Sequence, residues 1–396
     1  MVVASVAGGP HAASAAAHAT SIDDPEIIPG SYVVGFKRDA TSTASTADLA
    51  KSVAKFAGGS VEQTYPKNMQ GFELGGTPEA AARASELDAV EFVIPARRTQ
   101  LSDKISQPHP TEGSLSWGLD RIDQADLPLN QKFNPNGDGS GVTVYVIDSG
   151  VRDTNQDFSG RVKFGPDFSK RINSVPAGVD CNGHGTHVAG TIGGKQYGVA
   201  RAVNIVSIKT QDCAGSGSSA GLDAAFNWIQ ANAKGPSVVN LSVVYPKHDL
   251  GLERAAQNLI DAGITLVAGA GNGDTNGPID ACERAIGSIP KVITVSASDA
   301  GDSQVAEYDF GNCIDLYAPG FQITSDSNGS DAAYEVMDGT SMAAPHVTGA
   351  AAIVLQRTPK ATPVDVAQAL TKSAVQGKLK MTNAGPNLLL QVPHAD

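Results

Sequence analysis

The spacing of hydrophobic and polar positions changes character partway along the chain. Between residues 29 and 100 short apolar stretches alternate with amphipathic ones. Ser31-Tyr-Val-Val-Gly-Phe36 reads as a strand, and Asp48 to Phe56 as a helix stopping at Gly58-Gly59. A second strand is expected at Gly71 to Leu74, a second helix at Glu79 to Leu87, and a closing strand at Val90 to Ile94. Strand–helix–strand followed by helix–strand predicts a small α+β unit of the split βαβ, ferredoxin-like kind. From Trp117 onward, near-continuous β-branched runs take over: Val142–Ile147, Asn204–Ile208, Val238–Val244, Ile264–Ala268 and Val292–Val295. Runs without alternation belong to parallel strands covered on both faces. Between them Leu222, Ala225, Phe226 and Ile229 share one helical face, as do Leu252, Ala255, Ala256, Leu259 and Ile260, with Gly263 placed to end that helix. The second part is therefore expected to be an α/β, doubly wound, mostly parallel sheet, with functional residues at the C-terminal ends of its strands.

Four segments result. Residues 1–28 form an Ala-rich leader with an apolar start (Val2, Val3, Val6) but no basic n-region and no full h-region, so a partial signal segment or a disordered leader is expected. Residues 29–100 are the α+β unit, and 101–115, carrying Pro108 and Pro110, read as a linker. Residues 116–396 are the α/β domain.

Composition narrows the function. Of the 396 residues, 41% are hydrophobic and 18% charged, an ordinary globular balance. A formal charge of −12, with no basic run longer than a pair such as Arg97-Arg98, argues against nucleic acid as partner. No apolar stretch approaches a membrane span. Cys181 and Cys213 lie 32 residues apart, Cys282 and Cys313 lie 31 apart, and none forms a C-x-x-C pair. Two local disulfides, each worth roughly 3–4 kcal/mol, fit better than a zinc site, and they imply export to an oxidising compartment. Four free buried thiols are the alternative.

Three residues sit where catalytic groups are expected. Asp148 ends the strand Val-Tyr-Val-Ile147. His184 lies in Asn182-Gly-His-Gly-Thr-His-Val-Ala-Gly190, with His187 read as structural. Ser341 lies in Gly339-Thr-Ser-Met-Ala-Ala-Pro-His-Val347, a turn opening an Ala-rich helix. Singly, these would be a turn Asp, a helix His and an N-cap Ser. Together they supply a weak nucleophile, the imidazole that takes its proton and the carboxylate that fixes that imidazole's tautomer, in one of the chain orders such triads adopt. Asn272, in Gly269-Ala-Gly-Asn272 after a strand, can donate its amide to an oxyanion, a contribution of roughly 3–4 kcal/mol. The Gly-rich turn does not complete G-x-G-x-x-G, so a dinucleotide site is rejected.

Val-Ile-Asp148-Ser-Gly, His184-Gly-Thr-His, Gly-Asn272 and Gly-Thr-Ser341-Met-Ala-Ala-Pro resemble the signature blocks of the subtilase family of serine peptidases, most nearly its proteinase K and aqualysin branch. The likeness runs from Trp117 to about Leu390, and residues 29–100 resemble the inhibitor-type propeptide of these enzymes. The resemblance implies a secreted, monomeric serine endopeptidase acting on proteins or peptides. Its propeptide is expected to serve as intramolecular inhibitor and to be cut off between about residues 98 and 115. It also implies the pairs Cys181–Cys213 and Cys282–Cys313, a structural calcium held by Asp315 with the carbonyls of Pro290 and Val292, and substrate contacts from Gly215, Ser216, Gly217, Ser242, Val243, Val244, Gly269, Ala270, Gly271 and Arg284.

The chain departs from the family at the specificity pocket. Ser242-Val-Val-Tyr245 stands where Ser-Leu-Gly-Gly is usual, Arg284 stands at the pocket floor, and Ser219 replaces an aromatic lining the S4 pocket. Val244 could narrow the pocket toward small P1 residues, Arg284 could draw an acidic or amide P1 side chain, or the changes could weaken the enzyme; a shifted specificity is favoured. The competing function is a catalytically impaired subtilase homologue acting as a binding protein. Asn328-Gly-Ser330 and Asn240-Leu-Ser242 match the glycosylation pattern, the second in a strand expected to be buried.

Overall fold

The computed structural model describes residues 26–101, 104–105, 115–169 and 177–392. Nearly all of the expected leader and most of the expected linker lie outside those residues. The N-terminal domain runs β1 (Ile27–Phe36), α1 (Ala40–Thr43), α2 (Thr46–Ala57), β2 (Ser60–Tyr65), β3 (Gly71–Gly75), α3 (Pro78–Ser85) and β4 (Val90–Gln100). Its antiparallel order β2-β3-β1-β4 is the ferredoxin-like arrangement. Ser45 caps α2 by accepting from the Asp48 N–H, and Gly58, at φ +76°, ends it. Thr77 caps α3 with Pro78 at its first position. Val34, Phe36, Phe72 and Leu74 pack on Ala50, Val53, Ala54, Ala80 and Ala84. The other sheet face is covered too: Val33, Tyr65, Met69 and Ala96 pack against Ala220 and Ala224 of the second domain.

Two sequence expectations needed revision here. Strand β2 is polar at most positions and escaped a hydrophobicity reading. Strand β4 runs on to Gln100 because its polar end finds backbone partners in the other domain, where Arg98, Thr99 and Gln100 pair antiparallel with Ser218, Gly217 and Ser216.

The two-residue strand β5 (Lys104–Ile105) and α4 (Trp117–Ile122) lead into the α/β domain. There follow β6 (Thr143–Asp148), β7 (Val162–Asp167), α5 (His184–Gly193), β8 (Asn204–Lys209), β9 (Ser216–Ser218), α6 (Ser219–Asn232), β10 (Ser237–Leu241), α7 (Leu250–Asp261) and β11 (Thr265–Gly269). The chain closes with β12 (Ile293–Ser298), β13 (Leu316–Pro319), β14 (Ile323–Asp326), β15 (Tyr334–Asp338), α8 (Thr340–Arg357), α9 (Pro363–Ser373), β16 (Val375–Gln376) and β17 (Leu388–Leu389). The sheet order is β16-β17-β13-β12-β11-β10-β6-β8-β7, parallel except for the β16–β17 pair. Helices α5, α8 and α9 cover one face and α6 and α7 the other, which is why the strands read as unbroken apolar runs. The doubly wound expectation holds. After β6 the chain goes to the edge strand β7, returns to β8 between β7 and β6, and then crosses to β10 on β6's other side, so the switch point lies between β6 and β10. Strand β10 stops at Leu241, not at Val244, and the next three residues leave the sheet. Both disulfides are formed, Cys181–Cys213 and Cys282–Cys313.

Candidate active site

At the C-terminal end of β6, Asp148 is fully buried, and its Oδ1 accepts from the Ser149 N–H at 2.7 Å and meets His184 Nδ1 at 2.7 Å. Burial pushes the Asp148 carboxyl up, and the His184 and Ser149 contacts act against that rise. His184 opens α5, whose first turn lies so close to β6 that a Cβ on Gly185 would fall 2.1 Å from the Gly150 carbonyl. The preceding loop is organised by Asp180, which the sequence reading did not single out. Its two oxygens accept from the N–H groups of Asn182, Gly183 and Thr186 and from the hydroxyls of Ser149 and Thr186. Its only sequence signal was its place just before the Asn182-Gly-His block.

Ser341 sits in the first turn of α8 and is 5% exposed. Its Oγ lies 3.4 Å from the Ser242 carbonyl, and Ser242 Oγ donates to the Ser341 carbonyl at 3.0 Å. Ser242 is in turn held by the Asn240 amide at 2.9 Å, and Asn240 Oδ1 accepts from Thr348. Asn240, fully buried and bonded at both ends of its amide, is thus a brace for the nucleophile's neighbour, in line with its expected burial. Asn328 donates its amide to the Asp180 carbonyl. Asn272 lies beyond the end of β11, and its Oδ1 accepts from both the N–H and the hydroxyl of Thr340, at 2.9 and 3.0 Å. That fixes the oxygen of the amide on the α8 side.

The remaining expected contacts divide into those that meet an extended backbone and those that do not. Gln100 exchanges both backbone hydrogen bonds with Val244, at 3.3 and 3.0 Å, while the Leu101 N–H donates to the Gly215 carbonyl at 2.9 Å. With Ser216 and Gly217 on the other side, residues 98–101 lie as the middle strand of three. Ser219, expected near S4, accepts from the Arg97 N–H at 3.0 Å. Gly269 and Gly271 press on Thr340, where a Cβ on Gly269 would come within 3.1 Å of the Thr340 hydroxyl.

Arg284 corrects the sequence reading. It is 5% exposed and its guanidinium is bound to Asp309 at 2.9 Å, to the Tyr245 carbonyl and to the Gly273 carbonyl. Neutralised by a buried carboxylate, it is not a bare cation awaiting an acidic side chain.

Asp315 stands beside the turn that carries Pro290 and Val292. Its Oδ2 accepts from the Thr294 N–H at 2.8 Å, and burial holds the carboxyl up at about 6. Among the described residues no group of three or more His, Cys, Asp or Glu side chains is arranged to hold a metal. A site here would draw on one carboxylate and backbone carbonyls, a donor set that fits a hard cation such as calcium. No described helix is long and apolar enough to cross a membrane.

A buried carboxylate–imidazole pair at the switch point of a doubly wound sheet, with a serine at a helix start, is the set of groups that serine peptidase chemistry requires. Residues 139–391 match the model of the subtilase family, and the chain belongs to that family. It is 36% identical to an "Extracellular serine proteinase" of Thermus sp. (strain Rt41A), over 99% of this chain and 97% of that protein. It is likewise 36% identical to "Alkaline serine exoprotease A" of Vibrio alginolyticus, over 93% of this chain and 68% of the other. A cold-adapted subtilisin-like serine proteinase of known structure superposes with a TM-score of 0.67 at 42% identity, covering 71% of this chain and all of that one. Fervidolysin from Fervidobacterium pennivorans shares the fold at 22% identity, with a TM-score of 0.74 over 94% of this chain and 61% of its own.

Proposed function

We propose that this chain is the zymogen of a secreted, monomeric serine endopeptidase in which Ser341, His184 and Asp148 act as a triad and the N-terminal domain is the inhibitor. Ser341 Oγ attacks the peptide carbonyl while His184 takes its proton. Asp148, on Nδ1, holds the imidazole in the tautomer that presents its other nitrogen and stabilises the cation that forms. Asn272 and the Ser341 N–H receive the oxyanion. The C–N bond breaks, His184 returns the proton to the leaving amine, and water then hydrolyses the acyl-enzyme by the same route. Proteins and peptides are the substrates, and a calcium ion on Asp315 with the Pro290 and Val292 carbonyls would tie the start of β12 to that of β13.

The observation that carries this reading is the antiparallel register of Gln100 with Val244. A substrate bound in that register would, two residues on, set its P1 residue opposite Ser242, the residue hydrogen-bonded to Ser341. The chain's own tail is thereby threaded as a substrate, and the count puts the scissile bond between Ser102 and Asp103. Those two residues lie outside the described ones; the position rests on the register alone. Intact-mass measurement and N-terminal sequencing of the wild type beside Ser341→Ala tests it. The wild type should begin at Asp103 and the variant should stay full length. An identical cut in both, or no cut together with no labelling of Ser341 by an active-site phosphonate, would leave the binding-protein reading in its place.

A further inference from the structure

The place where a P1 side chain must go can be located from the cleft. A peptide that keeps the register of Gln100 with Val244 would set its P1 residue against Ser242, with the P1 side chain between the 242–244 segment and the Gly269–Asn272 loop, the two walls that grip Ser341 and Thr340. Those walls are bridged. Tyr245, 2% exposed, reaches across and donates its hydroxyl to the Gly269 carbonyl at 3.0 Å. Behind it Arg284 binds the Tyr245 carbonyl and Asp309. Asp309 Oδ2 in turn lies 2.2 Å from where a Cβ on Gly271 would stand. The space between the walls holds a tyrosine ring backed by a buried ion pair.

We propose that Tyr245, braced by Arg284 and Asp309, closes the S1 pocket of this enzyme, so that it cleaves after small residues (Ala, Ser, Gly) and rejects large apolar and aromatic ones. This rests on the peptidase reading above. A buried phenol anchored at its hydroxyl cannot swing aside without leaving the Gly269 carbonyl without that partner, a penalty a P1 side chain would have to overcome. The Tyr245 backbone is held from behind by Arg284, so the pocket is shallow by construction. The residue after Leu101 in the sequence is Ser102, which a shallow pocket accepts.

The test is kcat/KM for a tetrapeptide anilide series varied only at P1 (Ala, Ser, Leu, Phe), on mature enzyme quantified by titration with methanesulfonyl fluoride, whose small group needs no deep pocket. Wild type should favour Ala over Phe by at least about tenfold. Tyr245→Ala should narrow or invert that ratio by about tenfold or more, acting mainly on the Phe and Leu substrates. Tyr245→Phe, which keeps the ring and loses the anchor, should retain most of the preference and serves if the alanine variant fails to fold. A wild type that cleaves after Phe as well as after Ala, or a ratio unmoved in titratable Tyr245→Ala, overturns the proposal. Failure of the titrant to label wild type at all would instead sink the peptidase reading.

Discussion

Thr340 fixes which end of the Asn272 amide faces α8, and so which end would meet the oxyanion in the proposed reaction. By donating two hydrogen bonds to Oδ1 it removes the amide's freedom to flip, so the NH2 is oriented before substrate arrives. Asn272→Ala should therefore lower kcat by about 10²–10³ while KM changes little, because the lost contact forms only as charge develops on the oxygen. A matching rise in KM would mean that Asn272 binds ground-state substrate instead. At this scale the sequence was most legible. Asp148, His184, Ser341 and Asn272 stand in short blocks whose order and small neighbours mark their chemistry. Asp180, Asn240 and Tyr245 were not legible, because a loop Asp, a strand Asn and a Tyr beside Pro carry no signal until the fold supplies their partners.

Between elements, the contact of α6 with the N-terminal sheet carries an electrostatic load. Asp223 of α6 is buried with both carboxyl oxygens unpartnered, and Asp249, the N-cap of α7, and Glu73 of β3 lie nearby. Tyr65 of β2 donates to the Ala220 carbonyl one turn before Asp223, Ser219 hydrogen-bonds Asp249, and Arg97 is the cation acting on Asp249. Burial first, then the neighbouring Asp249 and Glu73, push the Asp223 carboxyl well up. A carboxyl whose pKa is raised in the docked state binds more protons docked than free. Docking is then strongest below the ordinary carboxylate range and weakens as pH rises above it. In the cleaved but still associated complex, the peptidase activity released by dilution should increase as pH rises above the ordinary carboxylate range. Asp223→Asn should remove most of that slope, about tenfold in apparent affinity for each pKa unit involved. A slope unchanged in the variant would place the titrating group elsewhere. The same contact explains why β1 has Val33 and Val34 buried side by side: one faces α2 and α3, the other faces α6.

For the whole molecule, the proposed calcium beside Asp315 couples the start of β12 to β13, since Asp315 immediately precedes β13 and holds the Thr294 N–H of β12. A ligand that binds only the folded chain stabilises it by about 2.7 kcal/mol at a hundredfold excess over its Kd. The Ser341→Ala full chain should then melt several degrees higher in calcium than in chelator, and Asp315→Asn should abolish most of that difference. Equal melting in calcium and chelator would remove the ion from the account.

The sequence by itself determined the sheet class, the family and the cysteine arrangement, and it marked a two-domain split and the candidate nucleophile, base, carboxylate and oxyanion donor. Each of these depends on local periodicity or on short blocks with their own chemistry. Only the tertiary structure decided how the domains meet. The polar end of β4 became a strand by pairing with β9 and Val244, partners more than a hundred residues away in the chain. It also decided the state of Arg284, which the sequence offered as a free cation and the fold neutralised with Asp309. Such long-range polar pairings leave no periodic trace, because each depends on one partner's position in space and not on a repeated face.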